Sequence, residues 1–218
     1  MFTLPLFPLD AVLFPGMPIQ LHVFEPRYKK MIEKCLSSNR EFGVVLIRSG
    51  VEALGPLPEP CRIGCVARIT SVVPLDEGRY NIYIVGQERF RIHSVDRHSE
   101  PYLIGQVEPY PLLVTDPDHL QEPIHHIRPR LKRYIELLMQ VMGTQGEPEP
   151  LPEMAELLAY MAAILLRVPN DEKQAFLEIQ GADELFQNLE SVLDRELALL
   201  RAMLGESSRS GIGVFSRN

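Results

Sequence analysis

The stretch Pro5 to Ile32, PLFPLDAVLFPGMPIQLHVFEPRYKKMI, carries apolar runs, a turn and a helix start in quick succession. Thr3 to Phe7 and Ile19 to Val23 are short apolar runs that read as strands, and Pro15-Gly16 between them is turn chemistry. Pro26 suits the first position of a helix, and Tyr28, Met31, Ile32, Cys35 and Leu36 then recur on one face of it. Such a helix would close an open end of a strand-rich barrel and leave Arg27, Lys29, Lys30 and Lys34 in water.

Outward from this stretch the strand pattern continues. Gly43 to Arg48, Ile63 to Val73, Tyr80 to Val85, Phe90 to Val95 and Leu103 to Val107 are apolar or alternating runs broken by Gly and Pro. With the two runs above they predict a barrel or rolled sheet, and Asp76-Glu77-Gly78-Arg79 predicts a tight hairpin inside it. After Tyr110 the period changes. Asp116-Pro117 marks a helix start, Leu131 to Met142 form a stripe that Pro123 and Pro129 should break upstream, and Met154 to Leu165 form a second stripe. Asn170 or Asp171 can cap a third helix closing at Gly181, and Phe186, Leu189, Leu193, Leu197, Leu200 and Leu204 line a fourth. The expected class is α+β: a β-barrel with one helix over residues 1–112, a C-terminal α-helical bundle over 113–205, and a flexible tail over 206–218 that frays unless Ile212, Val214 and Phe215 dock.

Charge and composition exclude several functions. The 218 residues carry a formal charge of −7, all of it in the second half, where 10 basic residues face 17 acidic ones. That sign disfavours a chain built to neutralise phosphates. Arg89, Arg91 and His93 alternate along one strand with Arg97 following, but Phe90 and Ile92 take the core-facing positions, so a solvated outer face accounts for the alternation. No GxxxxGK[ST] loop, HExxH or GxSxG occurs. His125 and His126 are neighbours and would point about 100° apart on a helix. Cys61 and Cys65, on one extended strand, would lie about 13 Å apart, too far for a disulfide or a shared zinc. Asp76-Glu77 and Asp183-Glu184 sit in turn and cap contexts. No metal, cofactor or catalytic group is therefore expected. The opening lacks a basic n-region and no run approaches ~18 apolar residues, so a cytoplasmic protein is expected, with its three cysteines reduced and no membrane partner.

The opening stretch resembles the start of the Lon-type substrate-binding domain. The P-L-F-P-L run lies at Pro5 to Leu9, the V-L-F-P-G turn at Val12 to Gly16, the apolar strand at Ile19 to Val23, and the F-E-P-R-Y helix start at Phe24 to Tyr28. Gly64 to Ile69, Gly86 to Ile92 and Pro101-Tyr102-Leu103 look like the family's later strands, with Asp76-Glu77-Gly78 standing in for its proline-aspartate-glycine hairpin. Lys173-Gln174 and the stripe from Phe186 to Leu204 are similar to the bundle that follows, so the resemblance covers about the first 204 residues.

The resemblance implies a PUA-like barrel joined to a helical bundle. It also implies a share in selecting unfolded or damaged chains for an ATPase and a Ser-Lys protease. This sequence stops after its last long helix, so neither motor nor peptidase is expected within it. The function it implies is a non-enzymatic binding module or adaptor for unfolded or partner polypeptide, with a separate protease among its expected partners. The alternative is a PUA-like RNA-binding protein, although the charges favour no nucleic acid. The oligomeric state is open. Capture of unfolded chains needs exposed apolar surface, worth ~25 cal/mol per Å² removed from water. The candidates are Leu13, Phe14 and Met17 around Pro15-Gly16, and Leu54 and Leu57 in the proline-rich stretch Ser49 to Pro60. The competing expectation is that Leu13 and Phe14 plug a barrel end.

Overall fold

Pro15 and Gly16 fold the chain back in a type II turn, with Gly16 at φ 78° and the Met17 N–H donating to the Phe14 carbonyl at 3.1 Å. The turn joins β1 (Phe2–Leu9) to β2 (Pro18–Val23). These belong to a computed structural model that describes residues 1–114, 120–144, 146, 148 and 150–210. The helix α1 (Pro26–Leu36) follows, and then β3 (Glu41–Ser49), β4 (Glu59–Pro60), β5 (Ile63–Leu75), β6 (Arg79–Asp96) and β7 (Leu103–Pro109). Four more helices complete the chain: α2 (Gln121–Met142), α3 (Ala155–Leu165), α4 (Asn170–Glu178) and α5 (Ala182–Ser210). Contacts divide it into two units, Met1–Leu113 with Val168–Gln180, and Val114–Arg167 with Gly181 onward. The α+β class, a near-barrel of strands with one helix followed by helices, is the one expected.

In the first unit the strands run in the order β1-β7-β6-β5-β3, and a parallel pairing of β1 with β3, Leu6 opposite Gly43, closes the ring. The short β4 pairs with β3, and β2 lies along the first half of β6. β6 is one strand where the sequence predicts two, because Gly86 reads as a break. A Cβ at Gly86 would lie 2.1 Å from the Phe14 carbonyl oxygen, so glycine is there for a close approach of backbone. That approach pins the Pro15-Gly16 turn: Gly16 N–H donates to Gly86 C=O at 2.9 Å and Gly86 N–H to Met17 C=O at 3.0 Å. The Asp76–Gly78 hairpin forms as expected, with Glu77 and Gly78 both left-handed at φ 61° and 64°.

The two faces of the strands bury separate cores. One gathers Leu4, Leu6, Val45, Val66, Phe90, Ile92, Leu103 and Val107. Gly43 and Gly64 make room there, since a Cβ at either would come within 2.6 or 2.8 Å of Phe90 Cζ. The other face gathers Phe7, Phe42, Cys65, Ile69, Ile84 and Tyr102 beneath Tyr28, Met31, Ile32 and Cys35 of α1. Each such large apolar side chain contributes about 1.5–3 kcal/mol by leaving water. Of the basic residues of α1, Lys30 and Lys34 stand in water as expected, whereas Arg27 and Lys29 are partly covered. Arg27 Nη1 donates to the Gly55 carbonyl at 3.0 Å, Lys29 Nζ to the Glu77 carbonyl at 2.8 Å, and Lys30 and Lys34 pair with Glu100 at 2.8 and 3.1 Å.

α4 belongs to this strand-rich unit rather than to the helices around it in sequence. Arg89, expected with Arg91 and His93 on a solvated face, is only 2% exposed. Its Nη1 donates to the carbonyls of Leu177 and Ile179 at 2.8 and 2.5 Å, and the Tyr110 hydroxyl donates to that of Glu178 at 2.9 Å. These carbonyls close the C-terminal end of α4, where a helix leaves acceptors unpaired and concentrates negative partial charge, so a buried cation is held there. Gln174 adds a hydrogen bond to the Ile63 carbonyl at 3.0 Å. At the other end Pro169 is the N-cap, and Asn170 turns its amide to the Asp10 carbonyl at 2.8 Å instead of capping. The helix stops at Glu178, short of the expected Gly181.

In the second unit α2 runs unbroken through both prolines. Pro123 falls in the first turn, where no N–H is needed, and Pro129 removes only one bond from a long helix. The start expected at Asp116-Pro117 lies outside the described residues. α2 ends on Gly143 at φ 66°, with Thr144 N–H donating to Met139 C=O at 3.0 Å, a Schellman closure. Arg130 ties it to α5 through Glu190 and Asp194 at 3.1 and 3.0 Å. α5 continues past Gly205 to Ser210, and the tail positions Ile212, Val214 and Phe215 lie outside the described residues.

Replacing Arg89 by Met removes a charged donor from two helix-end carbonyls, and urea unfolding should show a loss of about 2–4 kcal/mol. Amide exchange in α4 should accelerate more than in β5. Gly86→Ala should cost about 1–3 kcal/mol in the same assay, because the backbone at Phe14 must move to admit one methyl group.

Candidate functional site

The five residues expected to form an apolar surface separate into two groups. Leu13 and Phe14 are 1% and 0% exposed, which corrects their assignment to the surface. The reason lies in the turn: Gly16 stands in water at its corner, but Leu13 and Phe14 lead into it, and Gly86 holds that backbone against β6. They plug the core. Met17 is half-buried against the α1 side of the sheet, and Leu57 is half-buried against the Phe90 side. Leu54 is 89% exposed, more than any other large apolar side chain described in the chain.

Leu54 sits at the tip of the loop between β3 and β4, with a left-handed backbone at φ 58°. A leucine in that conformation costs about 1–2 kcal/mol relative to the right-handed one. The loop is fastened at several places. Gly50 packs against Pro58, Glu52 Oε2 accepts the Asp10 N–H at 2.8 Å, and Arg27 holds the Gly55 carbonyl. Arg97 donates to the Leu57 and Pro58 carbonyls at 3.0 and 3.3 Å and pairs with Glu59. Val51, on the same loop, is also largely in water.

Beside the loop lies a cavity of about 330 Å³. Glu52 and Ala53 line one side and the run Gln20 to Glu25 lines another, over Phe7, Leu9 and Tyr28. The Phe7 and Tyr28 rings stack at 4.2 Å, and Arg27 covers Tyr28 at 4.8 Å. Burial pushes the Tyr28 hydroxyl up to about 12, against the pull of the nearby Arg27 charge. Arg27 pairs with Glu25 at 2.8 Å, while Glu52 meets no cation among the described residues. Phe24 stands 41% exposed at the cavity's edge, with His22 stacked beside it at 5.8 Å. Phe24, Val51 and Glu52 escaped the sequence reading because nothing in their spacing separates a half-exposed aromatic from a core one.

The site holds apolar surface, two carboxylates and one guanidinium, which suits binding. Among the described residues no three His, Cys, Asp or Glu side chains gather for a metal ion. Burial raises the thiols of Cys35, to about 11, and Cys65, which disfavours the reactive thiolate. No described helix is long and apolar enough to cross a membrane. The cations that could offer nucleic-acid contacts, Arg89, Arg91, His93 and Arg97, are engaged within the protein. Arg91 lies over Tyr110 at 4.3 Å, His93 meets Glu108 at 3.1 Å, and Arg89 and Arg97 hold backbone carbonyls.

Residues 3–195 match the profile of the ATP-dependent protease La (LON) substrate-binding domain. The Lon protease of Anaeromyxobacter dehalogenans is 24% identical over 217 residues, covering 95% of this chain and 26% of that protein. The Lon protease of Desulfosudis oleivorans is 26% identical over 215 residues, again with 26% of its length covered. The chain thus spans about a quarter of the length of the curated relatives it matches. Among solved structures, the Lon N-terminal domain protein from Xanthomonas campestris aligns with a TM-score of 0.61 at 25% identity, over 88% of this chain and 98% of that one. The N-terminal domain of the Mycobacterium avium complex Lon protease aligns at 0.58 with 16% identity, over the same shares, a likeness of fold. The profile match reaches from β1 well into α5, and on that ground the chain belongs to the LON substrate-binding domain family.

Proposed function

We propose that this chain is a non-enzymatic binding module that takes up unfolded or partner polypeptide through apolar surface of its strand-rich unit. The observation that carries the reading is Leu54, held in water on a fastened loop in a backbone conformation that leucine disfavours. Glycine or asparagine would suit the turn better, so leucine presents its side chain there at a cost in backbone energy. Val51 and Phe24 extend the surface to either side of Leu54 and the cavity. A rigid apolar projection loses little entropy on contact, and it offers what every misfolded chain can use.

The family supports the same reading, since its name denotes substrate binding and the relatives matched are Lon proteases. A separate protease is the natural recipient of a captured chain. In the second unit Met142, Met154, Leu157, Leu199 and Met203 also stand partly in water, and methionine suits varied partners. RNA binding has less support, because Arg89, Arg91, His93 and Arg97 are committed to partners within the protein.

Fluorescent unfolded peptides should bind saturably with weak salt dependence, and single-stranded RNA should not. Saturable RNA binding with a steep salt slope and no peptide binding would reverse the assignment. Leu54→Gly should weaken peptide binding by about tenfold, the equivalent of half to all of one buried leucine, while raising unfolding stability by about 0.5–1 kcal/mol. Unchanged peptide affinity in that variant rejects the loop as the contact. Leu13→Asp should instead unfold the strand-rich unit, seen as loss of its cooperative thermal transition.

A further inference from the structure

β2 is hydrogen-bonded to β6 along one edge, from Pro18 opposite Val85 to Val23 opposite Tyr80, with no break in register. Among the described residues no strand lies along its other edge. Natural edge strands are usually guarded by lysines, bulges or inward charges, and within β2 the only such device is Pro18 at its start. Ile19 and Leu21, the inward residues before Val23, are half-buried and would be covered by a further strand. The 330 Å³ cavity lies beside this edge, between Gln20 to Glu25 and the loop carrying Glu52 and Ala53. Arg27 neutralises Glu25, which leaves Glu52 as the uncompensated charge of the cavity.

From this juxtaposition we infer that an extended segment of client polypeptide adds to the free edge of β2 and sends one lysine or arginine side chain into the cavity. The aliphatic stem lies along Leu9, Val23 and the edge of the Tyr28 ring, and the cation meets Glu52. Main-chain hydrogen bonds supply sequence-tolerant affinity, and the cavity supplies preference at one position. The inference rests on the polypeptide-binding reading above and names the mode of that binding.

The test uses the whole chain and fluorescein-labelled peptides of about ten residues, alternating valine and threonine around a central lysine. Companion peptides carry norleucine or glutamate at the centre, or backbone N-methyl groups at every second residue in one set or the other. Strand addition requires that N-methylation of one set lower affinity at least about tenfold while the other set stays within about twofold, because alternate amides face opposite edges. The lysine peptide should bind about threefold tighter than the norleucine one, and Glu52→Gln, which keeps an oxygen for the Asp10 N–H, should abolish that difference. Equal tolerance of both N-methyl sets overturns the inference, as does a lysine preference that survives Glu52→Gln. If the chain still binds an unfolded protein under either result, the inferred mode fails and polypeptide binding stands. If it binds no unfolded chain, both fail.

Discussion

A guanidinium can be buried only where acceptors await it, and Arg89 finds them at the end of a helix some ninety positions later in the chain. The need is mutual. The last carbonyls of α4 have no partners within their own helix, and Arg89 with Tyr110 provides them. This exchange draws residues 168–180 out of the helical half and into the unit built from strands. Gln174 on Ile63 and Asn170 on Asp10 then hold the helix along its length, so α4 is fixed at both ends and in the middle.

The local chemistry of the first unit was legible because it depends on neighbours in sequence. Pro15-Gly16 fits the two central positions of a type II turn, Pro26 fits a helix start, and Gly78 fits a left-handed hairpin position. Arg89 was not legible. Alternation told that it faces away from Phe90, but not that α4 would cover that side. Gly86 is ambiguous for a related reason: a glycine that breaks a strand and one that admits another backbone are identical in sequence, and only the Phe14 carbonyl decides between them.

The candidate surface shows the same division. Turn chemistry places a corner of backbone near water, yet says nothing of the side chains leading into it, and Leu13 and Phe14 turn inward while Gly16 stands in water. Leu54 was identified because the proline-rich stretch leaves a lone leucine few places to hide. Its fastening by Asp10, Arg27 and Arg97 comes from three distant parts of the chain, which no periodicity reveals. The same fastening uses the arginines that would otherwise have made the surface basic.

The way the ring closes also sets the order of events during synthesis. β1 is made before both of its partners, pairing with β3 at Gly43 and with β7 up to Val107, so one edge waits for about forty further residues and the other for about a hundred. Arg89 waits longer, until Ile179 has emerged. Through that interval the nascent chain presents unpaired edges and a charge without its acceptors.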